Sequence, residues 1–579
     1  MMTRMSTSAP SPLLLGPLLR FVGAHDASVW VETAGPARVT VTVGERTWEA
    51  ATFAVEGHHY ALVLLSDLAP GTEHAYTVAI DGEHVWPLAD SPFPPSSIVT
   101  LTPGRPPRLA FGSCRTSVPH DAEHHRSHGV DALRTVALSL AKGEGRRPEV
   151  LVLLGDQVYA DETSPEMHDF IAARRDIDEA PYEEIQDYTE YAELYRLAWS
   201  DPAIRWVLSC VPSAMIFDDH DIRDDWNTSW AWHRKMNATP WWHERLVGGL
   251  ASYWVYQHIG NLAPEELAAD EIWRLLADAG PGEVDLTEPL RHLAERVDRE
   301  PETYRWSYTR ALGNSRLIML DSRAARVLEP DRRSMLDDDE LAWLDEQLTG
   351  DLNHLFIGTS LPFLLPPGLH DLEAISESLA GPQRPAPVRK GMETVRQVVD
   401  LEHWGAFQSG FVEVFDLVAS VARGERGRPP ATITFLSGDV HHSYIAEVTD
   451  PQSQGFHSRV VQAVCSPIRN PMPRGVRVLM SQMAKSLVRP MRWLAVRTKG
   501  VADPRHPWQL TDGPWFDNNL ALAEVDDDGR GMTLSWFTGE LVEGMAEPVL
   551  RTVSSVHVAE LAPDASSRPP QTVTGGKPQ

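Results

Sequence analysis

A chain of 579 residues, 42% hydrophobic and 23% charged, can bury a large core and divide into more than one domain. Its net charge of −29 excludes a general nucleic-acid binder, which needs a basic face for phosphate. Three cysteines (Cys114, Cys210, Cys465) cannot build a disulfide framework, so a reducing compartment or a metal role is expected.

In chain order, residues 1–15 are expected to be disordered. Arg4 precedes Leu13-Leu14-Leu15, but Pro12 and Pro17 bracket an apolar patch too short for a secretory signal. No run approaches the ~18 apolar residues of a membrane span, and a cytoplasmic location is expected. Residues 16–103 read as a small all-β domain. Ser28-Val29-Trp30-Val31-Glu32 and Val39-Thr40-Val41-Thr42-Val43 alternate with period two, and Asp81-Gly82 closes a hairpin. Short strands at this spacing suggest a sandwich, and Leu68-Ala69-Pro70-Gly71-Thr72 resembles fibronectin III/Ig-like domains. The stretch from Asp90 to Pro95 then reads as a stiff linker.

The larger domain, 104–560, repeats one device: an apolar run that ends in ligand-type residues. Leu109-Ala110-Phe111-Gly112-Ser113 presents Cys114, either a buried structural thiol or a soft metal ligand. Arg115 beside it is a phosphate contact or an ion-pair partner. Glu149 to Leu154 reads as a buried strand ending in Gly155-Asp156-Gln157-Val158-Tyr159-Ala160-Asp161. That places a carboxylate at the strand tip, where open α/β sheets put their sites, with a phenol in reach. An Asp bridging two cations beside a phenolate suggests a binuclear centre with a trivalent ion.

After a helical insertion over 166–208, Ala214-Met215-Ile216-Phe217 ends in Asp218-Asp219-His220-Asp221, followed by Asp224 and Asp225. Five carboxylates within eight residues repel one another unless cations neutralise them. His220 among them is a candidate general acid for a departing oxygen. Leu317-Ile318-Met319-Leu320 ends in Asp321-Ser322-Arg323, and 334–348 reads as an acid-led helix. Ala431 to Leu436 ends in Ser437-Gly438-Asp439-Val440-His441-His442-Ser443, whose Asp439 and His441 can face one ion cluster. The ligand candidates are therefore Cys114, Asp156, Tyr159, the 218–221 cluster, Asp439 and His441.

From Pro451 to Ala502 there is no Asp or Glu but nine Lys or Arg. Residues 476–496 mix these with Val, Leu and Met as in an amphipathic helix, which Pro490 would kink or end. This is either a lid on the acidic body or, over 469–499, a contact for substrate phosphate or anionic lipid. The Pro/Ser/Gly-rich tail, 561–579, is expected to be disordered.

Together, Phe111-Gly112-Ser113-Cys114, Gly155 to Asp161, Asp218 to Asp221, Leu320 to Arg323 and Ser437 to Ser443 resemble the alkaline phosphatase D-like (PhoD-like) family of metallophosphoesterases. The resemblance implies an α/β calcineurin-like β-sandwich flanked by helices. It implies Fe3+ held by Cys114, Asp156, Tyr159 and His441, with Asp156 bridging to Ca2+ completed by Asp219 and Asp439. Asp224, where the family often has Asn, is a further calcium ligand on this reading. The implied reaction is hydrolysis of phosphate diesters or monoesters by a metal-activated hydroxide, with His220 at the leaving oxygen. A purple-acid-type phosphomonoesterase shares Gly-Asp-x-x-Tyr but would carry histidines in place of Cys114 and Asp439. A non-catalytic scaffold of the same fold would be marked by lost ligands, and the principal ones are all present.

Overall fold

The computed structural model describes residues 11–398 and 400–561. Residues 1–10 and all but the first residue of the 561–579 tail, both expected to be disordered, lie outside the described residues.

The N-terminal unit is two facing sheets. One runs Leu13–Val22, Ala27–Thr33, His58–Leu65, Phe53–Val55; the other runs Arg46–Ala51, Arg38–Val43, Glu73–Ile80, Glu83–Trp86. Period-two alternation turns Val39 and Val41 inward against Val29, Val31 and Val63 of the opposite sheet. Every residue of Ala27–Thr33 is buried, and the reason is a second covered face. Leu15, Leu18, Trp30, Tyr60 and Leu62 point away from the sandwich into the core of the larger domain. The first strand opens at Leu13, inside the segment expected to be disordered. Pro17 is tolerated there because this is an edge strand whose register shifts between Leu15 and Leu18. Val284–Asp285 of the larger domain pairs with Phe53–Val55, so the domains are joined through a sheet edge.

The larger domain is mixed α/β, built on two sheets. Arg108–Gly112, Val150–Leu154 and Ser213–Ile216 are parallel neighbours, extended by antiparallel Leu520–Val525, Gly531–Glu540 and Val549–Ala559. The second sheet sets Ser315–Leu320, His354–Thr359, Thr432–Ser437 and Arg459–Val464 in parallel. Side-chain alternation builds two cores. Leu317, Met319, Phe356 and Leu436 share a core with Phe111, Leu151 and Leu153 of the first sheet. Ile318, Leu320, Ile357 and Phe435 face the other way, onto the helix Gln408–Ala422, which buries Phe411, Val414, Phe415 and Val418 along one face.

The expected helical insertion divides into Pro165–Arg174, Tyr188–Trp199 and Pro202–Cys210. The acid-led helix begins at Asp338 rather than 334, because the Asp337 side chain caps the Glu340 amide. The basic stretch forms two helices, Arg474–Ala484 and Val488–Ala495. Pro490 lies in the first turn of the second, where its missing N–H costs no hydrogen bond. Among the described residues no helix is long and apolar enough to cross a membrane.

Candidate metal centre

The parallel strands of both sheets end at one place, so their C-terminal residues converge there. The tips are tied together: the Cys114 amide donates to the Gly155 carbonyl (3.3 Å), Gly438 to Ser360 (2.9 Å) and the Asp439 amide to Ser113 Oγ (3.0 Å). Glycine is required at two of them. A Cβ on Gly438 would lie 1.9 Å from Ser113 Oγ, and one on Gly155, at φ +97°, would lie 2.5 Å from Asp218 Cβ. Cys114, Asp156, Asp439 and His441 also adopt positive φ, of +58°, +51°, +62° and +50°. Four non-glycine residues in the left-handed region at one site represent local strain that the surrounding packing sustains.

Carboxylate oxygens of Asp156, Asp218, Asp219 and Asp439 lie within 4.8 Å of one another. Cys114 Sγ lies 3.3 Å from Asp156 Oδ2 and accepts from the Ser466 hydroxyl at 3.3 Å. Burial, and then neighbouring Asp218, push Asp156 well above the usual carboxylate range. Asp218 is likewise raised by burial, although Arg323 works against the shift. Burial drives the Cys114 thiol up, reinforced by Asp156 and Asp439. Asp439 is held down at about 2: burial opposes its charge, but His403 and Arg323 outweigh it.

The positive charges fall short of what these acids need. Arg323, fully buried, donates to Asp218, reaches Glu402 at 2.7 Å and lies 3.0 Å from Asp219. His403 Nε2 is 2.9 Å from Asp439 Oδ2 and its Nδ1 is 2.6 Å from Glu373. Asp156 Oδ1 and Asp218 Oδ2 remain buried with no hydrogen-bond partner. Such oxygens are costly in a protein without cations and are what a metal would coordinate. The clustered donors are carboxylates, with the Cys114 thiol beside Asp156, a set that a metal ion can use.

The remaining expected ligands fall around this cluster. Tyr159 packs its ring on His220, centroids 4.7 Å apart. Burial pushes its phenol up, followed by Cys114 and Asp156, with nearby Asn470 opposing, and the buried hydroxyl has no hydrogen-bond partner. Burial lowers His441 to about 4, which keeps its imidazole neutral, as a ligand must be. Asp219, His220 and Asp224 form a second group of ligand-type atoms, with Asp224 at the exposed rim. His220 Nδ1 is anchored by Asp161 at 2.8 Å, leaving Nε2 3.8 Å from Asp224. Burial disfavours the charged ring, but Asp161 and Asp219 override it and raise His220 well above its usual value.

Several expectations are corrected. Arg115 is no phosphate contact: Nε pairs with buried Asp131 at 2.9 Å and Nη1 donates to the Ala198 carbonyl. Asp221 is a brace rather than a ligand, since its Oδ2 accepts the amides of Asp156 and Asp218, each at 2.9 Å. In the basic stretch Arg469 is fully buried and donates to the carbonyls of Val118 and Pro119, while Arg492 pairs with Asp371 and Asp503. Neither of these two arginines is available to substrate.

Sequence reasoning missed His403, Glu373 and Glu402, which come from helical and loop segments with no strand-exit signature. Asp161 stood in view, five residues after Asp156, but its hydrogen bond to His220 is a tertiary fact. A cleft of about 1090 Å³ opens behind Trp226 and Asn227, and none of the four clustered carboxylates lines it.

Residues 137–505 match the PhoD-like phosphatase family, and residues 10–98 match a domain family of unknown function, DUF7800. No curated protein matches the chain. A solved structure of PhoD is similar at a TM-score of 0.56 and 12% identity, covering 96% of this chain and 92% of that one, a likeness of fold. The type III pullulan hydrolase from Thermococcus kodakarensis, at 9% identity over 94% of this chain and 98% of its own, has a TM-score of 0.13, too low to carry an argument. Since the first match spans well over half of the 579 residues, the chain belongs to the PhoD-like phosphatase family and with it to the phosphoric ester hydrolases.

Proposed function

We propose that the protein is a binuclear metal-dependent phosphodiesterase. The observation that carries this reading is the buried group of Asp156, Asp218, Asp219 and Asp439, flanked by a thiol and a phenol and left with unpaired oxygens. Cys114, Tyr159, His441 and Asp156 are the proposed iron ligands, because thiolate and phenolate suit a trivalent transition ion. Asp156, Asp219 and Asp439 are the proposed calcium ligands, with Asp224 at the edge, because calcium takes oxygen donors. When bound, such a pair of cations acidifies a water and neutralises phosphate oxygens.

This chain's own residues then orient and protonate. Ser113 and Ser466 hold Cys114 and Asp439 in place, and His403 fixes the Asp439 carboxylate. Asp161 locks His220 in one orientation, so that Nε2 delivers a proton to the departing oxygen. The two sheets of the larger domain are read as the calcineurin-like sandwich. The diester is placed first by family resemblance, and a cytoplasmic location remains part of the reading. Metal analysis of protein purified without chelators, with diester and monoester assays side by side, tests it directly. Iron and calcium together with diester turnover support it; a metal-free, fully active protein overturns it.

Two substitutions separate the roles. Tyr159→Phe is expected to abolish or shift a visible phenolate-to-iron charge-transfer band; a colourless wild type would remove iron from the assignment. His220→Ala is expected to lower turnover by about 10²-fold, the loss of one general acid, with metal content near wild type. The deficit should shrink for nitrophenyl esters, whose leaving group needs no proton. Equal losses for good and poor leaving groups would assign His220 another role.

A further inference from the structure

We propose that the helix pair Arg474–Ala484 and Val488–Ala495 is a docking surface for an anionic lipid bilayer, seated beside the metal centre. The pair is anchored by its inner face: Met480, Met483, Leu487 and Met491 pack with Leu365, Leu369, Leu401 and Val440. Val440 stands between Asp439 and His441, so the helices rest on the loop that carries two of the proposed ligands.

The outer surface combines two features that water does not favour together. Val478 is 63% exposed, Trp493 59%, Leu479 48%, Val496 46% and Leu494 43%. Apolar side chains of this size, gathered on one short segment, mark an interaction site rather than ordinary surface. Around them, Arg474, Arg477, Lys485, Arg489, Arg497 and Lys499 make no ion pair with any described acid, although the chain carries a surplus of acids. The Arg497 guanidinium lies 4.0 Å over the Trp493 ring, an arrangement that keeps a cation and an aromatic at the same level.

Charge complementarity identifies the partner as anionic, and the apolar residues identify it as a bilayer. A soluble polyanion would engage the six cations and leave Trp493, Leu494 and Val478 in water. A membrane interface accepts both, with Trp at headgroup depth and Lys and Arg reaching anionic headgroups. The attraction must also overcome the repulsion between an anionic membrane and a body of charge −29, which concentrates binding on this acid-free segment. The docking proposal concerns binding and stands apart from the hydrolytic reading.

The test is co-sedimentation of the full chain with vesicles of equal parts phosphatidylglycerol and phosphatidylcholine, against phosphatidylcholine alone, at low and high salt. Binding is expected only to the anionic vesicles, weakening as salt rises. Lys485→Gln with Arg489→Gln is expected to weaken it about 25-fold, at about fivefold per cation near an anionic surface. Trp493→Ser is expected to weaken it about tenfold through lost apolar burial. Hydrolysis of a small soluble ester and the thermal midpoint should stay at wild-type values in both variants, which separates lost docking from lost fold. Absence of wild-type binding to the anionic vesicles overturns the proposal without any variant. So does wild-type binding that Trp493→Ser leaves unchanged, since it marks a contact made by charge alone.

Discussion

Asp156→Asn is expected to cost on the order of 10³-fold in turnover, the several kcal/mol that paired cations contribute to charge stabilisation at phosphate. The substitution is nearly isosteric, and Asn tolerates the left-handed backbone at this position, φ +51°. Its effect on stability should have two signs. Without metal, the variant loses a buried carboxyl whose ionisation burial and Asp218 both oppose, so it should be as stable as wild type or more so. With metal, wild type gains stability by mass action, and the variant should lose most of that gain. Thermal melts with and without divalent cations, alongside turnover, check both signs. A variant destabilised equally under both conditions would make Asp156 a packing residue, and one that keeps its metal and its activity would remove it from the proposed bridge.

Arg323→Ala is expected to destabilise the protein by about 3–5 kcal/mol, the range for removing one partner of a buried ion pair. Arg323 is fully buried and serves Asp218, Asp219 and Glu402, while Arg326, 3.5 Å from Glu402, compensates only one of the three. The penalty arises from acids left without a counter-charge rather than from lost apolar contact. Bound divalent cations should therefore recover part of it, because they neutralise Asp218 and Asp219. Denaturant titration with and without calcium measures this. A loss below about 1 kcal/mol, typical of an exposed pair, would mean that water already reaches the carboxylates. A loss that metal does not lessen would mean that Glu402 dominates.

The candidate ligands were legible in the sequence because a parallel strand announces itself twice. A short apolar run gives the strand, and the Gly or charged residue that ends it gives the tip. Val150–Leu154 before Gly155-Asp156 and Thr432–Ser437 before Gly438-Asp439 both work in this way. The β-unit was legible for a related reason, since Arg38–Val43 shows water on one side and core on the other. Ala27–Thr33 is buried throughout, because the second face of its sheet lies on the larger domain. Local alternation carries no record of a neighbour that folds from residues far along the chain.

Which polar groups meet was decided only by the tertiary structure. Arg115 adjoins Cys114 in sequence, yet its guanidinium reaches Asp131 and Ala198, because consecutive residues at a strand exit point in different directions. His403 reaches Asp439 from a loop and is itself held by Glu373 of the helix Pro367–Ala380, and nothing in their own neighbourhoods marks them. The basic stretch kept its sign in three dimensions but not its membership: Arg469 is buried in carbonyls and Arg492 pairs with carboxylates, while Arg474 and Arg489 of its two helices stay exposed. Sequence alone thus determined which residue types stand at the strand tips and how much charge must be balanced. The pairing of those charges depended on the fold, because electrostatic attraction and hydrogen bonding act on distance in space, and two sheets closing on each other set distances that separation along the chain does not encode.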